Sequence, residues 1–262
     1  MKFLELLNHI GLIAAHRGAR CLAPENTLIA LKKSVGRCDF IEIDVQFSRD
    51  GVAVVMHDDT LQRTTNVAKI DSFVSKKPYR VCDFTIDELR ELDYGSWFYK
   101  DENHKEPLLT LCDALEFIKE KSLLLNIEIK DISAVFSDEE VVDTVVKEIK
   151  KSDASESILL SSFRHEYLKI IKEKVPNILT AALVEGKHSD SLLEYLRELK
   201  VNGYNLNNES VDKQTVEMLR EAGFFVSVYT VNDSARAKEL FSMGVNCIFS
   251  DSLNKNLKVD SL

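Results

Sequence analysis

Residues 41–60 read IEIDVQFSRDGVAVVMHDDT: two acids at alternate positions of a β-branched run, a polar turn, and a histidine ending a second apolar run. The two-residue period of a strand puts Ile41, Ile43 and Val45 on one face and Glu42 and Asp44 on the other. Ser-Arg-Asp-Gly is too short for a helical crossover, so the two runs form an antiparallel hairpin. Pairing Phe47 with Val52 across that turn predicts His57 opposite Glu42. A strand with one wet face would carry such acids without any function. The pattern returns, however, in NIEIKD, where Asn126, Glu128 and Lys130 share one face. Where that face looks into a closed interior, carboxylates are costly unless paired or bound to metal. Glu42, Asp44 and Glu128 together make an all-oxygen cage suited to one hard divalent cation, Mg²⁺ or Ca²⁺, with Mn²⁺ also compatible.

A further stretch, AAHRGARCLAPENT, sets His16 and Arg17 at the end of the first apolar run. A histidine or arginine there is ordinarily structural; the C-terminal ends of barrel strands are the exception, because barrel enzymes keep their chemistry there. The inventory is then a hard-metal cage, two cations (Arg17 and Lys130) and two imidazoles (His16 and His57). Phosphoryl chemistry uses that set: cations neutralise the non-bridging oxygens, one imidazole takes a proton and the other gives one to the leaving oxygen. A phosphodiester needs the separate acid and base more than a monoester does.

The elements that must position these groups follow from periodicity. Apolar runs at 12–16, 39–47, 52–57, 123–129, 157–162, 178–183, 203–206, 224–230 and 246–250 read as strands. Helical spacing fills 27–35, 110–121, 137–152 and 212–223 between them. Alternation of this kind, in one domain of 262 residues and with no Gly-x-Gly-x-x-Gly after the first strand, predicts a TIM-type (β/α)₈ barrel with the third run as an extra hairpin strand. From about 58 to 107 the alternation fails, which predicts a small inserted subdomain beside His57. Its aromatics Tyr94, Trp97, Phe98 and Tyr99 are expected to form a mini-core.

Composition narrows the class. A net charge of -9 excludes the basic footprint that nucleic acid or an anionic membrane surface requires, and no run has the length of a membrane anchor. Five scattered cysteines without a Cys-x-x-Cys pair argue against disulfides or zinc, point to a reducing cytoplasm, and are read as small buried hydrophobes. Nothing in the sequence specifies an oligomeric state.

HRGARCLAPENT, IEIDVQFSRDGVAVVMHD with LQRTT, NIEIK and VYTVN, in this order across nearly the whole chain, resemble the glycerophosphodiester phosphodiesterases. The resemblance implies a barrel with an insertion after the second histidine, a divalent metal, and hydrolysis of small-molecule glycerophosphodiesters to an alcohol and sn-glycerol 3-phosphate. It implies His16 and His57 as the acid/base pair, Glu42, Asp44 and Glu128 on the metal, and Arg17 and Lys130 on phosphate. Glu25 and Asn26 of PENT would support these groups or cap the following helix. Tyr229 stands where the family commonly has Trp and would line the substrate pocket, while IFSDSLNK departs from the family's Thr-Asp-Pro tail. The competing readings are a lysophospholipase D-like or other lipid phosphodiesterase and a non-catalytic phosphate-binding barrel.

Overall fold

The computed structural model describes residues 2–186 and 191–253; the last two residues of IFSDSLNK lie outside them. Nine strands run β1 (Leu12–Ala15), β2 (Phe40–Phe47), β3 (Ala53–Val55), β4 (Leu125–Ile129), β5 (Ile158–Ser162), β6 (Leu179–Val184), β7 (Gly203–Asn207), β8 (Phe225–Tyr229) and β9 (Cys247–Ser250). β1 pairs in parallel with both β2 and β9, so eight parallel strands close on themselves, and β3 hangs antiparallel on β2. This is a TIM-type barrel. No helix among the described residues is long and apolar enough to cross a membrane.

The helices are α1 (Leu28–Ser34), α2 (Ile86–Arg90), α3 (Ser96–Tyr99), α4 (Leu111–Lys121), α5 (Asp138–Ser152), α6 (His165–Lys174), α7 (Leu192–Glu198), α8 (Lys213–Glu221) and α9 (Ser234–Ser242). Side-chain caps start most of the long ones: Thr27, Thr110, Ser137, Asp212 and Asp233 each accept the orphan N–H three residues on. Ile41, Ile43, Val45 and Val228 face this helical layer in one large apolar cluster, and the alternate residues of the same strands point inward. A second cluster fills the inside at the N-terminal strand ends, where Phe3, Leu12, Phe40, Leu124, Leu159 and Phe225 close the barrel. The open end is therefore the C-terminal one, the end that carries His16, Asp44, Glu128 and Tyr229.

The hairpin register differs from the expected one by a residue. Phe47 pairs with Ala53 rather than Val52, because Ser48 accepts from Val52 through its side chain and donates its N–H to the Val52 carbonyl, which takes Val52 into the turn. Strand β3 then ends at Val55, so His57 is not paired with Glu42; it reaches the open end after the chain has left the ladder. The Gln46 side chain holds it there by donating to the carbonyls of His57 (3.1 Å) and Asp58 (2.6 Å).

Between β3 and α4 the chain makes three short 3₁₀ turns, α2 and α3, around a separate apolar cluster of Val54, Leu61, Phe73, Tyr79, Phe84 and Leu89. Tyr94 belongs to it, but Trp97, Phe98 and Tyr99 do not: they stack edge to face as a half-exposed ladder, with ring centroids 5.8 and 5.1 Å apart. Short 96–99 has too few turns to bury all four rings. The cysteines also differ from expectation. None of the five is in a disulfide, only Cys247 is buried, and Cys21 is exposed, since Cys21 sits in the polar loop before α1.

Gly18 and Gly36 both have positive φ, +75° and +72°. A Cβ on Gly18 would meet the Ala30 backbone at 2.9 Å, whereas one on Gly36 meets nothing within 4 Å. Gly36→Ala is therefore expected to cost about 1–2 kcal/mol for the left-handed backbone alone. Gly18→Ala should cost about 2–5 kcal/mol, because overpacking adds to that strain. Denaturant titrations of both variants test this; equal losses would mean that α1 yields freely.

Candidate active site

Glu42, Asp44 and Glu128 come together as expected: each offers an oxygen, and these atoms lie within 4.8 Å of one another. β2 and β4 are neighbours in register, with Asp44 beside Glu128, so two inward positions of one strand meet one of the next. Glu42 and Asp44 are almost wholly buried, 3% and 1% exposed. One oxygen of each, Glu42 Oε1 and Asp44 Oδ1, has no hydrogen-bond partner. Buried carboxylate oxygens left without donors, in an all-oxygen set, fit a hard divalent cation.

The cations lie against this trio. Lys130 Nζ is 2.7 Å from Glu128 and 3.5 Å from Asp44, and Arg17 Nε is 3.4 Å from Asp44. Arg17 adopts positive φ, +57°, and its N–H bonds Glu42 Oε2 at 2.7 Å. A non-glycine residue in that region is strained, and the charged acceptor offsets the strain. Asn26, also at positive φ, donates to Asp44 Oδ2 at 2.8 Å. Capping of α1 falls to Thr27.

Each histidine has its own carboxylate. His16 Nδ1 is 2.7 Å from Asp251 Oδ1, and His57 Nδ1 is 2.7 Å from Asp58 Oδ1. A carboxylate on Nδ1 fixes the ring and leaves Nε2 for exchange of a proton. Asp251 is held in turn by Asn232, and Asp58 by Arg63. Arg63 also forks onto both oxygens of Glu25, which bonds Arg17 and Arg20 as well. A single arginine from LQRTT thus ties the His57 partner to the Arg17 partner. Asp58, Asp251, Arg63, Arg20 and Asn232 carried no separate expectation; Asp58 and Asp251 share with the chosen residues only their place just past a strand end.

Tyr229 is on the rim as expected. Its hydroxyl is spent on the Val184 carbonyl (2.6 Å) and its ring stands 6.0 Å from Phe163, so it offers a wall rather than a hydrogen bond. With His16, Glu42, Glu128, Asn126 and Asn205 it lines a small cleft open to solvent. His165 is engaged with Tyr195 and the Leu183 carbonyl, and His104 with Asp101 away from the cleft.

The Glycerophosphoryl diester phosphodiesterase family model matches residues 16–255. The chain belongs to that family. A Bacillus altitudinis glycerophosphodiester phosphodiesterase is 30% identical over 252 residues, 94% of this chain and 97% of the relative. An Oleispira antarctica phosphodiesterase, solved with the product sn-glycerol-3-phosphate, superposes with a TM-score of 0.82 at 32% identity over 92% of this chain and 93% of its own. A Silicibacter pomeroyi family structure, at 21% identity, shares the fold at TM-score 0.87 over 97% and 95% of the two chains. This member is an enzyme of the glycerophosphodiester phosphodiesterase class.

Protonation in this phosphodiesterase follows burial and neighbours. Burial lifts Glu42 well above the ordinary carboxylate range, and the Asp44 and Glu128 charges add to it. Asp44 is depressed despite burial, because Lys130, Arg17 and His57 surround it. Burial pushes His16 and His57 below the ordinary histidine value, against their acidic neighbours. Burial holds Glu128 up at about 7, with Asp44 adding and Lys130 opposing, whereas an unperturbed glutamate titrates near 4.5. A carboxyl raised on folding contributes full stability below its unfolded value and loses it as pH rises through the folded one. Metal-free enzyme in EDTA should therefore lose the Glu128 contribution progressively between about pH 4.5 and 7, while His16 and His57, lowered on folding, act in the opposite sense. The melting-temperature difference between wild type and Glu128→Gln should accordingly change across that window; parallel profiles for the two proteins would remove Glu128 as a source.

Proposed function

We propose that this enzyme hydrolyses glycerophosphodiesters to an alcohol and sn-glycerol 3-phosphate with one divalent cation and a two-histidine acid/base pair. The observation that carries the reading is the placing of two imidazoles, each backed by its own carboxylate, beside a three-carboxylate cage with unpartnered oxygens. The product found in the Oleispira antarctica relative supports the same substrate class.

Glu42, Asp44 and Glu128 would hold the cation. When bound it supplies Lewis-acid neutralisation of phosphate charge. Arg17 and Lys130 orient the non-bridging oxygens and share that neutralisation. One imidazole takes a proton from water as its oxygen bonds to phosphorus; the other gives a proton through Nε2 to the alcohol oxygen as its bond to phosphorus breaks. Asp58 and Asp251 stabilise the imidazolium form, which the base becomes and from which the acid starts. Burial of both rings favours their neutral forms, which suits the base, and the adjacent carboxylates keep the charged form accessible for the acid. Tyr229 forms part of the substrate wall. Residues 58–107 act in this proposal as an inserted subdomain that presents Asp58 and Arg63. A cytoplasmic setting belongs to the same reading and is supported by five cysteines that form no disulfide.

A panel of choline, ethanolamine, serine, inositol and glycerol diesters of glycerol 3-phosphate, with a lysolipid included, tests the activity with EDTA and with added Mg²⁺, Ca²⁺ or Mn²⁺. Metal-dependent release of glycerol 3-phosphate is expected; cleavage of the lysolipid alone would transfer the activity to lipids, and no turnover would leave a phosphate-binding barrel. His16→Ala and His57→Ala should each lower kcat on the order of 10²–10⁴-fold. Calorimetric metal affinity should stay, since neither ring belongs to the oxygen cage; its loss in either variant would put that histidine on the metal.

A further inference from the structure

The floor of the cleft holds an amide that the chemistry above leaves unused. Asn205, on β7, is fully buried, lines the cleft, and has neither its Nδ2 nor its Oδ1 in a hydrogen bond. Beside it in register is Ser227 of β8, also fully buried and with an unpartnered Oγ. Across the cleft Asn126 donates to Ser161 Oγ at 3.1 Å but leaves its own Oδ1 without a donor. A buried amide with both ends open is costly, on the order of 1–3 kcal/mol for each unsatisfied group, so such groups are normally matched by something.

The pattern of open atoms narrows what matches them. The Asn205 amide, turned either way, presents one donor end and one acceptor end, and Asn126 adds a further acceptor. A phosphate or carboxylate would satisfy the donor and be repelled by the acceptors. An ammonium would satisfy only the acceptors. A hydroxyl both donates and accepts, and a diol does so twice. Beneath the floor the apolar plug of Phe3, Phe40, Leu159 and Phe225 gives no room for anything longer.

We propose that Asn205, with Asn126 opposite, is the specificity-determining element that reads the free glycerol hydroxyls of the substrate. This rests on the glycerophosphodiesterase reading and adds to it how the alcohol-bearing half is chosen. A site whose buried polar groups are paired by the substrate's hydroxyls rejects the analogue that lacks them, since those groups are then left unpaired. Discrimination thus comes from neutral amides that share the cleft with His16, Glu42 and Glu128 but take no part in the proton transfers.

The test compares any glycerophosphodiester that the panel shows to be turned over with the n-propyl phosphodiester of the same head group, in which both glycerol hydroxyls are hydrogen. Wild-type enzyme should favour the glycerol compound by at least 10²-fold in kcat/KM, and Asn205→Leu should shrink that ratio by at least tenfold. Because the amide is unpartnered in the free protein, Asn205→Leu should melt at or above the wild-type temperature. Asn205→Ala, which removes the amide without adding a branched side chain, gives the same ratio test if Leu does not fold. A wild-type ratio near one, or a ratio unchanged in the variants, would overturn the inference and leave the amide hydrated by ordered water only. Absence of turnover on every glycerophosphodiester would instead overturn the functional reading beneath it.

Discussion

Three carboxylates within 4.8 Å of one another inside a closed barrel are the constraint to which the surrounding residues answer. Like charges so close, out of water, repel strongly, and burial penalises each one separately. Lys130 and Arg17 supply opposite charge, Asn26 supplies a hydrogen bond, and Arg17 takes a strained backbone to present its N–H to Glu42. Even so, Glu42 and Glu128 are lifted and two oxygens remain without donors. A cage that protein groups alone leave incompletely satisfied favours a divalent cation on charge and donor type together.

The same economy of charge organises the rim. Glu25 receives three arginines, and Asp58 and Asp251 each face a histidine on one side and a positive or amide group on the other. Arg63 connects these groups across the fold, so the loop after β3 and the loop after β1 are set relative to each other by one guanidinium. Its fork geometry gives direction as well as charge, which a lysine at that place would not. The histidines are thereby oriented without belonging to any strand.

The barrel separates layers of different chemistry along its axis. Charged groups gather at the C-terminal ends of the strands, an unpartnered polar layer lies below them, and an aromatic plug closes the other end. Only a closed, twisted sheet stacks such layers, because neighbouring strands offer inward residues at staggered heights.

Much of this was legible in the sequence. Alternation in IEIDV and NIEIK put Glu42, Asp44 and Glu128 on the inward face, and every expected strand is present, because a two-residue period and β-branched runs are local properties. The closure of eight strands, with the third run outside the barrel, followed from the short Ser-Arg-Asp-Gly turn. The register of that hairpin did not, since it depends on how Ser48 bonds Val52, and a single residue taken into the turn moved His57 off the ladder. Nor did the burial of the cysteines or of Trp97, Phe98 and Tyr99, which depends on what each surface meets. Only the tertiary structure gave Asp58, Asp251 and Arg63 their roles, and exposed the unpartnered Asn205. Local pattern determines which way a residue faces along its own strand; which partners wait there is decided by chain segments far away in sequence, and that requires the closed fold.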